Sequence, residues 1–543
     1  MAKPIGELLK EEGIITDEHI NYALHVQKAV KKRFGDILRD LGFVTDVEIA
    51  ITLAKQSGYE YIDLDTVSPS KEALFLLPKN FSIQNNVLPI KVENNTLIVA
   101  ISDPYNERVK AMIGRFFKGN VLYKVAPATI LAKKIERFYY IAENPISETI
   151  EEMAKTVING GEISIENLLN LIIEDAIDKS ASDIHINPVD EATLISYRID
   201  GVLHLFHSLP ISIHSRLVST VKVRSSMDIA TTNIPQDGAM LYEFLKEKYD
   251  FRVSTVPTIY GENVVIRILG GHSKHISLEQ VGFNEKQLEV VSKAIAAPYG
   301  IILATGPTGA GKTTTLYALL RKINSMERNV LTIEDPVEFK IPLIHQVNVN
   351  QKANLTFASA IRSFLRQDPD VMLVGEIRDE ETATLAIRAA LTGHLVLSTL
   401  HTNDAVSAIS RLKDLGINDF LLSSSLTAVV AQRLVRKLCP HCKSAVEPDD
   451  YVRDFFSSDS IDRVYEHVGC EMCNFTGYIG RIAAAEVFLV DETVKEMIAE
   501  GVAISQIRKY LINEGMITMR ESAMELVRRG LTDIKEVQRV FGV

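Results

Sequence analysis

Gly306, Gly311, Lys312 and Thr313 stand in the spacing G-x-x-x-x-G-K-[ST], within the stretch IILATGPTGAGKTTT at residues 301–315. A polyphosphate needs that arrangement. Glycines without Cβ let successive backbone N–H groups curl around phosphate oxygens. A helix beginning at Lys312 aims the positive end of its dipole at the same charge. The expected cradle is Gly306, Pro307, Thr308, Gly309, Ala310, Gly311, Lys312, Thr313 and Thr314. In it Lys312 reaches the β- and γ-phosphates of ATP and the Thr313 hydroxyl holds Mg²⁺. The apolar run Ile301–Ala304 supplies the buried strand that this motif requires before its loop.

Three further apolar runs end in acids or carry histidine. LTIEDPVE places Glu334, Asp335 and Glu338 at the end of one, VMLVGE ends in Glu376, and LTGHLVLSTLHTND carries His394 before a strand and His401 after it. In an open parallel sheet the carboxyl ends of the strands line the ligand crevice, so these groups are expected to converge on the phosphates. There one acid orients or activates water, others serve Mg²⁺ through water, and the histidines sense the γ-phosphate. Singly, His401 reads as a structural histidine and Glu338 as a solvated loop acid. Their recurrence at successive strand ends reads as a catalytic set.

The four cysteines form two pairs, Cys439-x-x-Cys442 and Cys470-x-x-Cys473, separated by 28 positions from Cys442 to Cys470. Two knuckles of this spacing are expected to hold one tetrahedral Zn²⁺ within an insertion at 437–475; a redox CxxC is the alternative, disfavoured by the second pair.

The elements that position these groups require several domains, because 543 residues exceed what one core supports. A composition of 46% apolar and 24% charged residues is that of a soluble globular protein. The net charge of −11 argues against nucleic acid as a direct partner. No apolar run reaches a membrane span and the first residues carry no signal core, so a cytoplasmic location is expected, with membrane association through partners.

Residues 4–56 contain a repeat: Pro4–Gln27 aligns on Arg33–Gln56 without gaps, pairing Gly6 with Gly35, Gly13 with Gly42, Thr16 with Thr45 and Gln27 with Gln56. Each copy reads as a helix closed by glycine and a second helix N-capped by threonine. Residues 59–140 read as a small α+β unit with a hairpin turning at Glu93-Asn94-Asn95, completing an N-terminal docking module over 1–140. Residues 141–162 read as a polar linker, 163–270 as a middle α+β domain, Gly270-Gly271-His272 as a joint, and 275–543 as the phosphate-loop domain. The fold class expected is therefore multidomain α/β. The tail after Glu486 reads as helical, its stretch Ser505–Gly530 broken at Gly515 and capped at Gly530.

GPTGAGKTTTLYALL, LTIEDPVE, LRQDPDVMLVGEIRDEETA and LTGHLVLSTLHTND resemble the four boxes of the type II secretion / type IV pilus assembly ATPase family. AQRLVRKLCPHC, SDIHINP, YRIDG, PQDG and RVSTVPTIYGENVVIRIL extend that resemblance from about residue 163 to the C-terminus. It implies a RecA-like ATPase domain and a homohexamer binding ATP between its middle and catalytic domains. It also implies arginine fingers at Arg252 and Arg267, and as partners an inner-membrane platform protein and cytoplasmic-facing machinery subunits. The family's arginines around PQDG are replaced by Thr220, Thr231-Thr232-Asn233 and Ala239, with Arg216 and Arg224 as nearby substitutes. The N-terminal repeat resembles the tandem cyclic di-GMP-binding domain of some of these ATPases. That resemblance implies ligand contacts at Arg33, Gly35 and Gln56, with Pro4 where copy one would carry arginine; a purely structural docking module is the alternative.

The expected function is a Mg²⁺-dependent hexameric motor ATPase that assembles a type IV pilus or a type II secretion pseudopilus. The alternative is a low-turnover nucleotide- or cyclic di-GMP-responsive regulator of the same machinery. A retraction motor and a DNA-transfer ATPase fit less well, the first because of the repeat and the cysteines, the second because of the acidic charge.

Overall fold

The computed structural model describes residues 3–269, 277–323, 326–456, 461 and 463–542. The chain forms two compact units, one of Met1–Arg39 with Val44–Ser273 and the other of Asp40–Phe43 with Lys274–Val543. The Gly270-Gly271-His272 joint lies outside the described residues.

The first unit opens with the two repeat copies, Ile5–Glu11 with Asp17–Ala29 and Phe34–Asp40 with Asp46–Ser57. Thr16 and Thr45 both form capping boxes, with His19 and Glu48, each the third helical residue, as partners. The copies clasp each other reciprocally. Gln27 Nε2 donates to the Lys32 carbonyl before copy two at 3.1 Å, and Gln56 Nε2 donates to the Lys3 carbonyl before copy one. Gly6 permits the contact, since a Cβ there would lie 2.9 Å from the Phe34 ring. A four-stranded sheet follows, in the order Glu60–Tyr61, Asn120–Val125, Thr96–Ile101, Val87–Glu93. Its hairpin turns on Asn94 and Asn95, both at positive φ, the type I′ geometry that asparagine tolerates.

Residues 141–162 are not a linker. Helix Ala128–Glu143 runs into the segment, and Ile146–Ile158 is a helix that buries Ile146, Ile150 and Ala154 in the core of the middle domain. The polar composition that read as linker is the solvent face of an amphipathic helix. The preceding helix is docked as well. Arg137 donates to the Asp178 carboxylate at 2.9 Å and to the last carbonyls of helix Ile165–Asp178, while Tyr140 donates to Glu174 at 2.8 Å.

The middle domain is an antiparallel six-stranded sheet in the order Val202–Pro210, Ala192–Ile199, Asp183–Pro188, Gly261–Leu269, Glu247–Thr258, Gln236–Phe244. Its alternating burial along Ala192–Ile199 marks one face on the core and one on solvent. Helices Ile165–Asp178 and His214–Arg224 pack on the buried face through Leu168, Leu169, Ile172 and Leu217.

In the second unit a seven-stranded sheet runs His345–Asn348, Val330–Glu334, Val371–Val374, Leu395–Leu400, Gly300–Thr305, Leu426–Leu438, Tyr478–Leu489. The first six strands are parallel and the last is antiparallel. Strands 300–305, 330–334, 371–374 and 395–400 are buried at every residue, because helices cover both faces. Four helices close the chain: Glu492–Ala499, Ile504–Asn513, Met519–Arg528 and Ile534–Phe541. The break at Gly515 and the stop at Gly530 both occur at positive φ, where glycine costs least.

Candidate nucleotide-binding active site

Strand Gly300–Thr305 delivers the chain to the loop, and helix Lys312–Lys322 begins at its end. Gly306, Gly309 and Gly311 lie at φ 144°, 79° and 87°, a region costly to any residue with a Cβ. Gly306 and Ala310 are buried, whereas Pro307, Thr308 and Gly309 form the exposed rim. Lys312 Nζ donates to the Gly306 and Pro307 carbonyls at 2.8 and 3.2 Å, so the ammonium lies over the cradle. Burial pushes its pKa down, and the Glu376 carboxylate pulls the other way. Thr313 is exposed in the first helical turn, and an exposed hydroxyl there suits a Mg²⁺ ligand.

Glu376 stands two residues beyond strand Val371–Val374. Its Oε2 lies 2.6 Å from Arg378 Nε and 3.8 Å from Nε2 of His401, which follows strand Leu395–Leu400. Burial lowers the His401 pKa, and the Lys312 charge lowers it further against the pull of Glu376; the imidazole is therefore neutral at pH 7. The Thr305 and Thr402 hydroxyls meet at 2.6 Å, and Thr402 N donates to Thr305 Oγ1 at 2.9 Å, joining the base of the phosphate loop to the His401 turn. Lys312, Glu376 and His401 are thus brought to one end of the sheet.

Two expected members do otherwise. His394 precedes its strand, and Gly300 pairs with Leu395 in a parallel ladder that reaches the loop only at Thr305 and Leu400. It therefore sits at the opposite end of the sheet, about 17 Å away by strand rise. Its Nδ1 is 2.9 Å from the Ala389 carbonyl, closing the end of helix Glu380–Leu391. Glu334 is the last residue of its strand and is buried. Its carboxylate accepts from Tyr317 Oη, from Thr332 Oγ1 at 2.7 Å and from Gln346 Nε2 at 3.2 Å. Glu334 thus anchors the phosphate-loop helix through Tyr317, while Asp335 and Glu338 beyond it are exposed. Glu338 N donates to the same Tyr317 oxygen at 3.2 Å.

In the first unit Arg252 and Arg267 are directly paired on neighbouring strands, and both are exposed. Arg267 Nε bonds Asp183 at 2.9 Å, and Ala239 faces Arg252 on the next strand. Like charges directly opposite repel, and the Asp183 carboxylate on Arg267 offsets part of that repulsion. Arg224 is committed elsewhere, with Nη1 2.6 Å from Asn170 Oδ1 and the guanidinium over Tyr242. It does not substitute for the arginines absent around PQDG.

Between strands Leu426–Leu438 and Tyr478–Leu489 the Sγ atoms of Cys439, Cys442, Cys470 and Cys473 lie within 4.8 Å of one another. Three of the sulfur pairs are 3.8 Å apart. Four sulfurs about 2.3 Å from one Zn²⁺ lie about 3.8 Å from each other, so the set fits that ion. Backbone N–H groups of Gly469, Cys470 and Gly477 point at the sulfurs from 3.2 Å, donating to and so stabilising negative charge on the thiolates.

The model of the family described as type II/IV secretion system protein matches residues 159–539. The chain belongs to that family. The MshEN domain model matches residues 57–145. The type IV pilus assembly ATPase PilB of Myxococcus xanthus is 37% identical over 99% of this chain and 98% of its own. PilB of Thermus thermophilus is 40% identical over 98% of this chain, which spans 65% of the Thermus protein's length. The type II secretion system protein E of Dickeya dadantii is 47% identical over 69% of this chain and 75% of its own. Among solved structures, the ATPase DotB of Legionella pneumophila shares the fold, with a TM-score of 0.52 and 22% identity over 69% of this chain and 95% of its own.

One contributor was assigned no role from sequence. Gln432 lies in the AQRLVRKLCPHC stretch that carried only a family resemblance, and its place on the strand beside Gly300–Thr305 sets it behind the phosphate loop.

Proposed function

We propose that the protein is a hexameric motor ATPase that hydrolyses ATP to drive assembly of a type IV pilus or type II pseudopilus. It would work against an inner-membrane platform protein from the cytoplasmic side. The observation that carries this reading is the gathering of Lys312, Glu376 and His401 around the phosphate loop, in a chain related end to end to a pilus assembly ATPase. No helix among the described residues is long and apolar enough to cross a membrane, which fits attachment through partners.

The loop amides and Lys312 would bind the phosphates. Thr313 would hold Mg²⁺, an ion that would supply neutralisation of the charge developing on the phosphates. Glu376, aimed by Arg378, would accept the proton of the attacking water, and neutral His401 would hydrogen-bond near the γ-phosphate. Zn²⁺ on the four thiolates would be structural, because four ligands leave no open position.

The N-terminal repeat supports a second role. The exposed Arg33, 3.2 Å from Asp103, and the reciprocal glutamine clasp offer a preformed face for cyclic di-GMP. We assign that ligand to Arg33, Gly35 and Gln56.

In a strain of the source organism lacking this gene, the wild-type chain is expected to restore surface pili or secretion and Lys312→Ala is not. Equal restoration by both would refute the motor reading.

A further inference from the structure

Gln432 is 1% exposed, midway along strand Leu426–Leu438, beside the strand that feeds the phosphate loop. Both ends of its amide are used on that loop. Nε2 donates to the Ala310 carbonyl at 2.7 Å, and Oε1 accepts from Thr315 Oγ1 at 2.7 Å. Its own backbone carbonyl lies so close to Gly306 that a Cβ there would stand 2.5 Å away. One residue therefore touches the loop at its start, near its end and in the first helical turn, all from the side away from the exposed rim.

We propose that Gln432 is a positioning residue for nucleotide binding, fixing the peptide plane between Ala310 and Gly311. A trans peptide is planar, so its C=O and N–H point in opposite directions. Holding the Ala310 carbonyl back toward Gln432 turns the Gly311 N–H outward into the cradle, where it meets phosphate. The Ala310 carbonyl sets which end of the amide faces the loop, because it can only accept and so takes Nε2; the Thr315 hydroxyl, able to donate or accept, then donates to Oε1 and steadies the amide. Glutamate has the same shape but, ionised, presents acceptors to an acceptor; methionine fills the volume and offers no donor. Gln432 touches no substrate itself, and the inference rests on the reading of this loop as an ATP site.

The test compares wild type, Gln432→Glu and Gln432→Met, with Mg-ATP as probe, by equilibrium binding and by steady-state hydrolysis. At pH 8 Gln432→Glu is expected to weaken ATP binding about tenfold, the worth of a buried hydrogen bond replaced by acceptor repulsion. The loss should fall on KM more than on kcat. Burial raises the pKa of the introduced carboxyl, so it gains a proton as pH falls. The neutral acid can donate to Ala310, and affinity relative to wild type recovers toward pH 6. Gln432→Met is expected to lose affinity without recovering. Should Gln432→Glu fail to fold, Thr315→Val, which leaves the buried Oε1 without its donor and loosens the amide, is expected to weaken binding about threefold. Wild-type affinity in all foldable variants would overturn the proposal. So would equal losses in Glu and Met variants with no recovery at low pH and a lowered melting temperature without nucleotide. Absence of ATP binding by wild type would instead refute the site reading itself.

Discussion

Glu376 Oε2 and Arg378 Nε form a 2.6 Å ion pair just past the strand that carries them. The guanidinium fixes the direction of a largely buried acid that lies beside His401 at the phosphate end of the sheet. Glu376→Gln keeps the shape and removes the base. Turnover is expected to fall about 10²- to 10⁴-fold with ATP affinity within a few-fold of wild type. Single-turnover phosphate release and equilibrium binding on the same preparation check this, and retained turnover would remove Glu376 from the chemistry.

The thiolate set predicts one zinc per chain, measurable by elemental analysis of protein purified without added metal. Cys470→Ser, or prolonged chelation, is expected to lower the melting temperature of the second unit by about 5–10 °C, because the hairpin of strands 426–438 and 478–489 loses its staple. Substoichiometric zinc with an unchanged melting curve would contradict the assignment.

Asp175 is buried in the middle domain, and the groups facing it are Lys179, His207, Ser147 and Tyr197. Burial pushes its pKa up, but the His207 hydrogen bond and the Lys179 charge outweigh that and bring it down to about 2. The folded value lies below the unfolded one. Its stabilisation of about 2 kcal/mol is therefore present above pH 4 and lost as pH falls toward 2. Asp175→Asn is expected to destabilise the domain by about 3 kcal/mol at pH 7, where Lys179 and His207 lose their partner. Denaturation of both proteins across pH should show the gap narrowing below pH 4; a gap independent of pH would exclude this ionisation.

In the repeat, Arg33 is 80% exposed and copy one carries Pro4 in its place. Arg33→Ala is expected to weaken cyclic di-GMP binding about tenfold, and Pro4→Arg to tighten it. Calorimetry on the intact chain reads both. No heat with wild type would leave the repeat as a docking module alone.

Spacing carried the phosphate loop and the cysteine knuckles because each is a local pattern whose chemistry depends on adjacent residues. Asn94-Asn95 and the capping threonines Thr16 and Thr45 were legible for the same reason. Where reasoning from sequence failed, the deciding fact was three-dimensional. His394 and His401 are both beside one strand, yet only the second is at its carboxyl end. Glu334 has the right type and place, but Tyr317, Thr332 and Gln346 draw it inward. Helix Ile146–Ile158 was hidden by the polar residues on its outer face, and Gln432 became visible only when its strand was laid beside the loop, more than a hundred residues away in sequence.

The central claim is that this loop binds ATP for hydrolysis, and phosphate release from Mg-ATP by purified wild type and Lys312→Ala tests it most directly. Wild type is expected to release phosphate steadily, and the variant, lacking the ammonium over the cradle, to release almost none. Equal release from the two proteins would contradict the account.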